Sequence, residues 1–109
     1  MSKKYKLVVF VPAPYADSVR NAIHDAGGGK MGKYSHCSFS SRGVGRFKPG
    51  KGAHPAFGEV GKIEEIEEEK IEILCEEKVV GKVIAAMKKA HPYESVAYDL
   101  YLLEDWEGV

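Results

Sequence analysis

Hydrophobic and polar residues change their period several times along the chain, and each change marks a predicted element. An apolar run from Tyr5 to Val11 is typical of a strand buried on both faces. From Pro14 to Ala26 apolar residues recur at helical spacing, and the glycines that follow favour a helix end there. The stretch from Tyr34 to Ser41 alternates and predicts a second, more polar strand.

The rest of the chain predicts a long connection followed by strand, helix and strand. The stretch from Arg42 to Gly61 contains six glycines and two prolines and predicts a long, mobile loop. A strand is predicted at Glu68 to Cys75, with a bulge or short ribbon before it because two preceding isoleucines are out of phase. A helical stripe from Val80 to Ala90 and an alternating strand from Ala97 to Leu103 follow.

The resulting order, βαββαβ, predicts an α+β protein with a ferredoxin-like antiparallel sheet and two helices on one face. The first and last strands nevertheless have apolar side chains on both sides, such as Val8 and Phe10 opposite Leu7 and Val9. A sheet face of this kind is rarely left to water. We therefore expect the face without helices to be buried against another subunit.

Length, composition and charge narrow the class of protein. With 109 residues, 44% hydrophobic and 29% charged, the chain is expected to form a single domain over residues 1–109. Sixteen basic and sixteen acidic residues cancel, so nothing favours nucleic acid or an anionic membrane as a partner. The N-terminal apolar run is too short for a signal peptide, and Cys37 and Cys75 are expected as free thiols. These features predict a cytoplasmic location.

Three motifs resemble those of a known family. They are CSF at Cys37–Phe39, GVGRFKPGKGAHPAFGEVGK at Gly43–Lys62 and HPYESVAYDLYLL at His91–Leu103. In this order they resemble the CutA/PII-like domain inserted in proteins of the NGG-one-interacting-factor-three family, also described as GTP cyclohydrolase I type-two-like, of which stand-alone copies exist. The resemblance implies a PII/CutA-like fold that forms trimers. The dinuclear metal site of the complete proteins lies in two flanking lobes outside the resembling segment, so the resemblance does not extend to it.

Several chemistry-bearing residues are interpreted as structural. The glutamates between Glu64 and Glu69 are expected to form a solvated strand edge that blocks sheet aggregation. His36 and Cys37 would point to opposite faces of a strand and so could not bind one metal ion together. His24 is expected at the surface.

The candidate site follows from topology. Because each element reverses direction, the exit of the first strand, the glycine-rich loop and the HPYE turn should meet at one end of the sheet. Strand order separates His91 from the loop within one subunit, so the site is expected between subunits of a homotrimer. The residues predicted to bind a small anionic ligand there are His91, Tyr93, Glu94, Arg42, Arg46, Lys48 and Lys51.

Two chemistries and one structural role are open for this end of the sheet. The basic residues of the loop would attract an anionic group that His91 and Glu94 orient. Alternatively, His54, His91 and Glu94 would hold a divalent metal ion, which is the only cofactor suggested. The competing interpretation is that His91 and Glu94 only fix the turn after the helix.

The sequence favours a homotrimeric binding or sensor module of PII/CutA type without catalytic activity of its own. It shows no nucleophile–base pair, no paired catalytic carboxylates and no closely spaced metal ligands. A small metal-dependent enzyme and an oligomerisation adaptor for a partner protein are the alternatives.

Overall fold

A computed structural model describes residues 3–104 of the chain. The predicted order βαββαβ is confirmed, with a short 3₁₀ turn at Ala13–Tyr15 between the first strand and the first helix. The elements are β1 (Lys4–Pro12), α1 (Ala16–Asp25), β2 (Phe39–Phe47), β3 (Glu64–Glu76), α2 (Glu77–Ala90) and β4 (Tyr98–Leu103).

The four strands form one antiparallel sheet in the order β2-β3-β1-β4. β1 is central and pairs with β3 from Lys4 to Pro12, but it pairs with β4 only as far as Val9. β2 and β3 continue their pairing to Phe47 and Glu64, past the last residue of β1. The two strands therefore extend beyond the rest of the sheet as an arm, and the molecule measures 51 × 23 × 23 Å.

The core lies between the helices and one face of the sheet, as predicted. Successive strand residues point to opposite faces, so odd-numbered residues of β1 and β3 meet the helices and even-numbered ones face away. Burying each large apolar side chain stabilises the fold by about 1.5–3 kcal/mol. Fully buried members of this core include Leu7, Val9, Val11, Val19, Ile23, Ile71, Val83 and Met87.

The second strand lies further along the chain than predicted. It spans Phe39–Phe47 and not Tyr34–Ser41, so the first part of the predicted loop Arg42–Gly61 is strand. The prediction assigned these glycines to a loop. Gly45 is instead a strand residue, and glycine fits there because a Cβ would collide with the carboxylate of Glu68. The loop between β2 and β3 consists of residues 48–63, and its predicted mobility stays a prediction.

The third strand is longer than predicted and is continuous. Its partners follow one register from Glu64 to Glu76, so a bulge, the first predicted possibility, is wrong. The second possibility, a short ribbon, corresponds to residues 64–67, which pair only with β2. Ile66 and Ile71 are out of phase because they lie on opposite faces of the same strand.

The acidic stretch lies only partly on a sheet edge. Residues 64–67 pair with β2 alone and have an open side, whereas Glu68 and Glu69 have a strand on each side. Glu69 is buried and pairs with Arg20 of α1. The expectation of a solvated edge is therefore wrong for Glu69. Its carboxylate instead balances the charge of the Arg20 guanidinium beneath the helix.

No helix among residues 3–104 is long and apolar enough to cross a membrane. The cytoplasmic location stays a prediction.

Candidate functional site

The turn after α2 is built around the side chain of His91. Beyond Val9, where β4 no longer pairs with β1, the Phe10 N–H donates to the Ala97 carbonyl over 3.2 Å. The Phe10 carbonyl accepts the Nε2–H of His91 over 2.7 Å. The imidazole of His91 therefore donates a hydrogen bond to a backbone carbonyl of β1 that β4 does not reach. Its other nitrogen, Nδ1, accepts the backbone N–H of Tyr93 over 3.1 Å.

These two bonds define the protonation state of His91. A ring that donates from Nε2 and accepts at Nδ1 is neutral. Burial of the side chain, which is 6% exposed, lowers the pKa of His91 against the opposing effect of the Phe10 carbonyl. His91 therefore fixes the turn, and neither of its nitrogens is available to a ligand in this arrangement.

The loop between β2 and β3 reaches the same turn within one chain. The backbone N–H of His54 donates to Glu94 Oε2 over 2.7 Å. The expectation that strand order keeps the loop away from the turn is therefore wrong, because residues 48–63 are long enough to fold back over the end of the sheet.

Aromatic side chains hold the loop against the turn. The ring of Tyr93 lies 5.6 Å from that of Phe47 and 6.0 Å from that of Phe57, in edge-on arrangements. Phe57 also lies edge-on to Tyr15, at 6.1 Å. Such pairs contribute about 0.5–1.5 kcal/mol each beyond the burial of their area.

These groups enclose a cleft of about 400 Å³, which we call the aromatic cleft. Its walls are the end of β2, the loop, part of β3 and the HPYE turn. The aromatic residues that line it are Phe10, Phe47, Phe57 and Tyr93, and the charged ones are Arg46, Lys48, Glu68 and Glu94. A largely apolar concavity with a few charged groups is the usual form of a small-molecule site.

Glu68 is a carboxyl group of the cleft with a perturbed pKa. Its side chain lies above Gly45 and accepts a hydrogen bond from the Tyr93 hydroxyl over 3.3 Å. Burial raises the pKa of Glu68, and the hydrogen bond from Tyr93 partly opposes this. Burial, followed by the charge of Glu68 and the hydrogen bond to it, raises the pKa of Tyr93 to about 12. The cleft thus holds a carboxylate in an environment that disfavours its charge.

The four predicted basic residues are divided between different surroundings. Arg46 and Lys48 line the aromatic cleft. Arg42 lines a neighbouring shallow groove and pairs with Glu67 over 2.6 Å. Lys51 lies exposed in the loop and does not line the aromatic cleft. Ligand binding by these residues, and by Tyr93 and Glu94, stays a prediction.

The predicted metal ligands do not assemble into a ligand set. Within residues 3–104 no three His, Cys, Asp or Glu side chains lie together in a way that could hold a metal ion. His54 contributes only its backbone to the contact with Glu94, and both nitrogens of His91 are occupied. A metal ion at these residues therefore stays a prediction that the arrangement within one chain does not support.

The sequence interpretation missed four lining residues, Phe10, Phe47, Phe57 and Glu68, and misplaced a histidine. The sequence predicts Phe10 and Glu68 only as strand and edge residues, although their even-numbered positions on β1 and β3 place them on the face away from the helices. His24, expected at the surface, is buried beneath the glycines that end α1. Residues 36 and 37 lie outside β2, so the argument that His36 and Cys37 occupy opposite faces of a strand does not apply.

Comparison with known proteins identifies relatives over nearly the whole chain, although no family model matches it. A GTP cyclohydrolase 1 type 2 homolog of Halalkalibacterium halodurans is 54% identical over 99 residues, which are 91% of this chain and 27% of that protein. The protein of the same name from Bacillus subtilis is 52% identical over 91% of this chain and 26% of its own length. The chain spans about a quarter of the length of these relatives.

Solved structures agree with this assignment. A Bacillus cereus protein related to NIF3 superposes with a TM-score of 0.83 and 47% identity, over 95% of this chain and 26% of that one. The periplasmic divalent cation tolerance protein CutA of Archaeoglobus fulgidus gives a TM-score of 0.65 at 14% identity, over 96% of this chain and 88% of its own. The second likeness shows the fold alone, and it confirms the predicted CutA-like architecture.

Proposed function

Since this chain is a homologue of one domain of the GTP cyclohydrolase 1 type 2 homologs of the NIF3 family, we propose that it is a homotrimeric binding module for a small ligand. The observation that supports this most directly is the aromatic cleft, where rings from four separate segments converge beside two cations. The activity of the longer relatives is not transferred to this chain.

The lining of the cleft suggests the chemistry of the ligand. The edge-on rings of Phe47, Phe57 and Tyr93 leave apolar surface for a flat or apolar group. Lys48 forms no ion pair with a carboxylate of residues 3–104, whereas the guanidinium of Arg46 is shared with Glu65 at 3.5 Å. We propose that Lys48 attracts an anionic group of the ligand and that Arg46 assists it.

The HPYE turn has a divided role in this proposal. His91 positions Tyr93 through its backbone N–H and does not touch the ligand. Glu94 fixes the loop through the His54 N–H and so holds one wall of the cleft in place. In this proposal His91 has a structural role in the turn, and the residues around it form the binding site.

The homotrimer is proposed from the exposed apolar surface of β4. Tyr101 is 55% exposed and Leu102 is 60% exposed, on opposite faces of a strand whose outer edge has no neighbour in the sheet. Exposed apolar edges favour association unless they are covered. A second and a third copy of this chain would cover them, and the oligomerisation adaptor remains the alternative use of the same surface.

Light scattering tests this assembly. We expect a trimer at micromolar concentration and expect Tyr101→Asp to dissociate it. Tyr34→Asp, at a residue that is 75% exposed away from β4, is the matched control and should leave the trimer intact. A stable monomer for the parent protein contradicts the proposal.

A thermal-shift screen tests ligand binding. Nucleotides and aromatic carboxylates are the probes, because both combine a flat ring with an anionic group. A ligand at a hundred times its Kd should stabilise the parent by about 2.7 kcal/mol. The shift should disappear in Lys48→Glu and persist in Lys51→Glu, the matched control from the same loop. An equal shift in both variants, or none in the parent with any probe, overturns the aromatic cleft as the binding site.

A further inference from the structure

A pair of histidines lies at the end of the sheet opposite the aromatic cleft. His24 is in the last turn of α1, and the glycine turn that follows is tied to the C-terminal part of β3 by the Gly29 N–H, which donates to the Leu74 carbonyl over 2.8 Å. His36 lies in the connection that leads to β2. The centroids of the two imidazole rings are 4.8 Å apart, with 40° between their planes.

The ring of His24 has one nitrogen fixed and one without a partner. Nδ1 lies 2.9 Å from the Gly28 carbonyl, which can only accept, so Nδ1 bears the proton. Nε2 is buried and has no hydrogen-bond partner among the described residues. A buried acceptor left in this state costs about 1–3 kcal/mol, so in a native protein it calls for an explanation.

The backbone at His36 is also unusual. Its φ of 57° makes it the one residue other than glycine with a positive φ in residues 3–104. Such a conformation is costly for a histidine and often accompanies function. Its Nδ1 lies 2.9 Å from the Ser35 hydroxyl, which leaves Nε2 of the exposed ring as the nitrogen outside that contact.

Gly29 allows the connection to come this close to His24. A Cβ at Gly29 would lie 2.7 Å from both the His24 ring and the Cys37 carbonyl, so any other residue would separate them. The Cys37 N–H donates to the Gly29 carbonyl over 2.9 Å and holds the connection in place. The chain thus brings the second imidazole to the first through a defined local structure.

We propose that His24 and His36 bind one divalent transition-metal ion of the zinc or copper class through their Nε2 atoms. Imidazole nitrogen suits these ions. A histidine that binds a metal almost always donates its other ring N–H to a carboxylate, a backbone carbonyl or water, and His24 already donates to the Gly28 carbonyl.

Water would complete the coordination of this ion, because residues 3–104 supply no group of three His, Cys, Asp or Glu side chains. An ion held by two protein ligands is open to solvent on its remaining positions. We therefore infer an exchangeable ion that enters from the side of the exposed His36. This site is separate from the aromatic cleft, so the two proposals can fail independently.

Zinc titration of the untagged protein, followed by calorimetry and by the ¹⁵N chemical shifts of the histidine rings, tests the proposal. The variants are His24→Gln and His36→Asn, since asparagine tolerates the positive φ of that position. We expect zinc to shift Nε2 of both histidines in the parent, and each variant to weaken binding at least ~10-fold. His54→Asn, which changes an exposed histidine of the loop, is the matched control and should bind zinc like the parent.

Other outcomes reject the site. An unchanged zinc affinity in His36→Asn would show that the two rings only pack together. Because His36 is exposed, this variant tests the site even if His24→Gln does not fold. Loss of binding in His54→Asn alone would assign the ion to the loop and the HPYE turn. No zinc-induced change in the parent would also overturn the proposal.

Discussion

Each helix of this protein ends at a buried histidine, but the two side chains use their ring nitrogens differently. His91, at the end of α2, donates to Phe10 and accepts from Tyr93, so both nitrogens are occupied by backbone groups. His24, in the last turn of α1, donates to Gly28, and its second nitrogen is buried without a partner among residues 3–104.

This contrast separates a structural histidine from a candidate ligand. A satisfied imidazole stabilises the fold and has nothing left to offer a metal ion, whereas an orphan nitrogen costs stability and keeps its lone pair. The position of a histidine at a helix end does not distinguish the two cases. The partners of its two nitrogens do.

The largest effect that follows from the contrast is the loss of stability in His91→Ala. The change leaves the Phe10 carbonyl and the Tyr93 N–H without their partners and opens a void, which should cost about 2–4 kcal/mol. Urea unfolding measures the loss. His54→Ala is the control, because the His54 contact uses only its backbone, and it should change stability by less than about 0.5 kcal/mol. Equal stability of the two variants would mean that His91 is not the centre of the turn.

The fold was largely predictable because the buried elements alternate or repeat with a clear period. β1, α1 and α2 were found close to their predicted bounds, since their apolar residues face one core. β2 was displaced because Gly43 and Gly45 were interpreted as loop residues. Their strand conformation depends on pairing with β3, which a local pattern does not contain.

Topology correctly placed the loop and the HPYE turn at one end of the sheet. It did not predict that they meet within one chain, as the contact between the His54 N–H and Glu94 shows. The roles of His91 and Glu68 depend on hydrogen bonds to residues distant in sequence, Phe10 and Tyr93. His24 was misplaced because its burial is produced by the glycine turn that follows it.

A smaller loss is expected from Gly29→Ala, which acts on the region of His24. The new Cβ would meet the His24 ring and the Cys37 carbonyl at 2.7 Å, at a φ of 86° that disfavours alanine. We expect a cost of about 1–3 kcal/mol and a displaced His36, visible as changed ring chemical shifts. Gly43→Ala, where a Cβ would meet nothing within 4 Å, should be close to neutral. A Gly29→Ala protein with unchanged His24 and His36 signals would contradict the packing described here.

The pH dependence of stability sharpens the contrast further. The pKa of His91 is lower in the folded protein than its ordinary value of 6.5, so the unfolded chain takes up a proton first as the pH falls. The stability that His91 provides is therefore fully present above pH 6.5 and is lost as the pH falls through its folded pKa, by at most about 1.4 kcal/mol per pH unit. Unfolding of the parent and of His91→Gln between pH 7.5 and 5 isolates this contribution as the difference between their slopes. Parallel slopes would mean that the pKa of His91 does not change on folding, which would contradict the effect of its burial.

The smallest expected effect is that of Glu68→Gln. It tests whether the residues near His91 are arranged for stability alone. Burial raises the pKa of Glu68, so its favourable contribution is present below its ordinary pKa of 4.5 and is lost as the pH rises through the folded value. Glutamine is neutral and still accepts the Tyr93 hydroxyl, so Glu68→Gln should stabilise the protein at pH 7 by less than about 1 kcal/mol.

Unfolding at two pH values checks this sign. The gain from Glu68→Gln should shrink towards zero near pH 4, where the parent carboxyl is also neutral. Glu67→Gln is the control, because Glu67 is exposed and paired only with Arg42 among the described residues, and it should not gain stability at either pH. A loss of stability in Glu68→Gln at pH 7 would contradict the assigned environment. A gain in stability at pH 7 would mean that the aromatic cleft retains the Glu68 carboxylate at the expense of stability, as expected for a group that serves a ligand. His91, whose two nitrogens are both hydrogen-bonded, is the contrasting case.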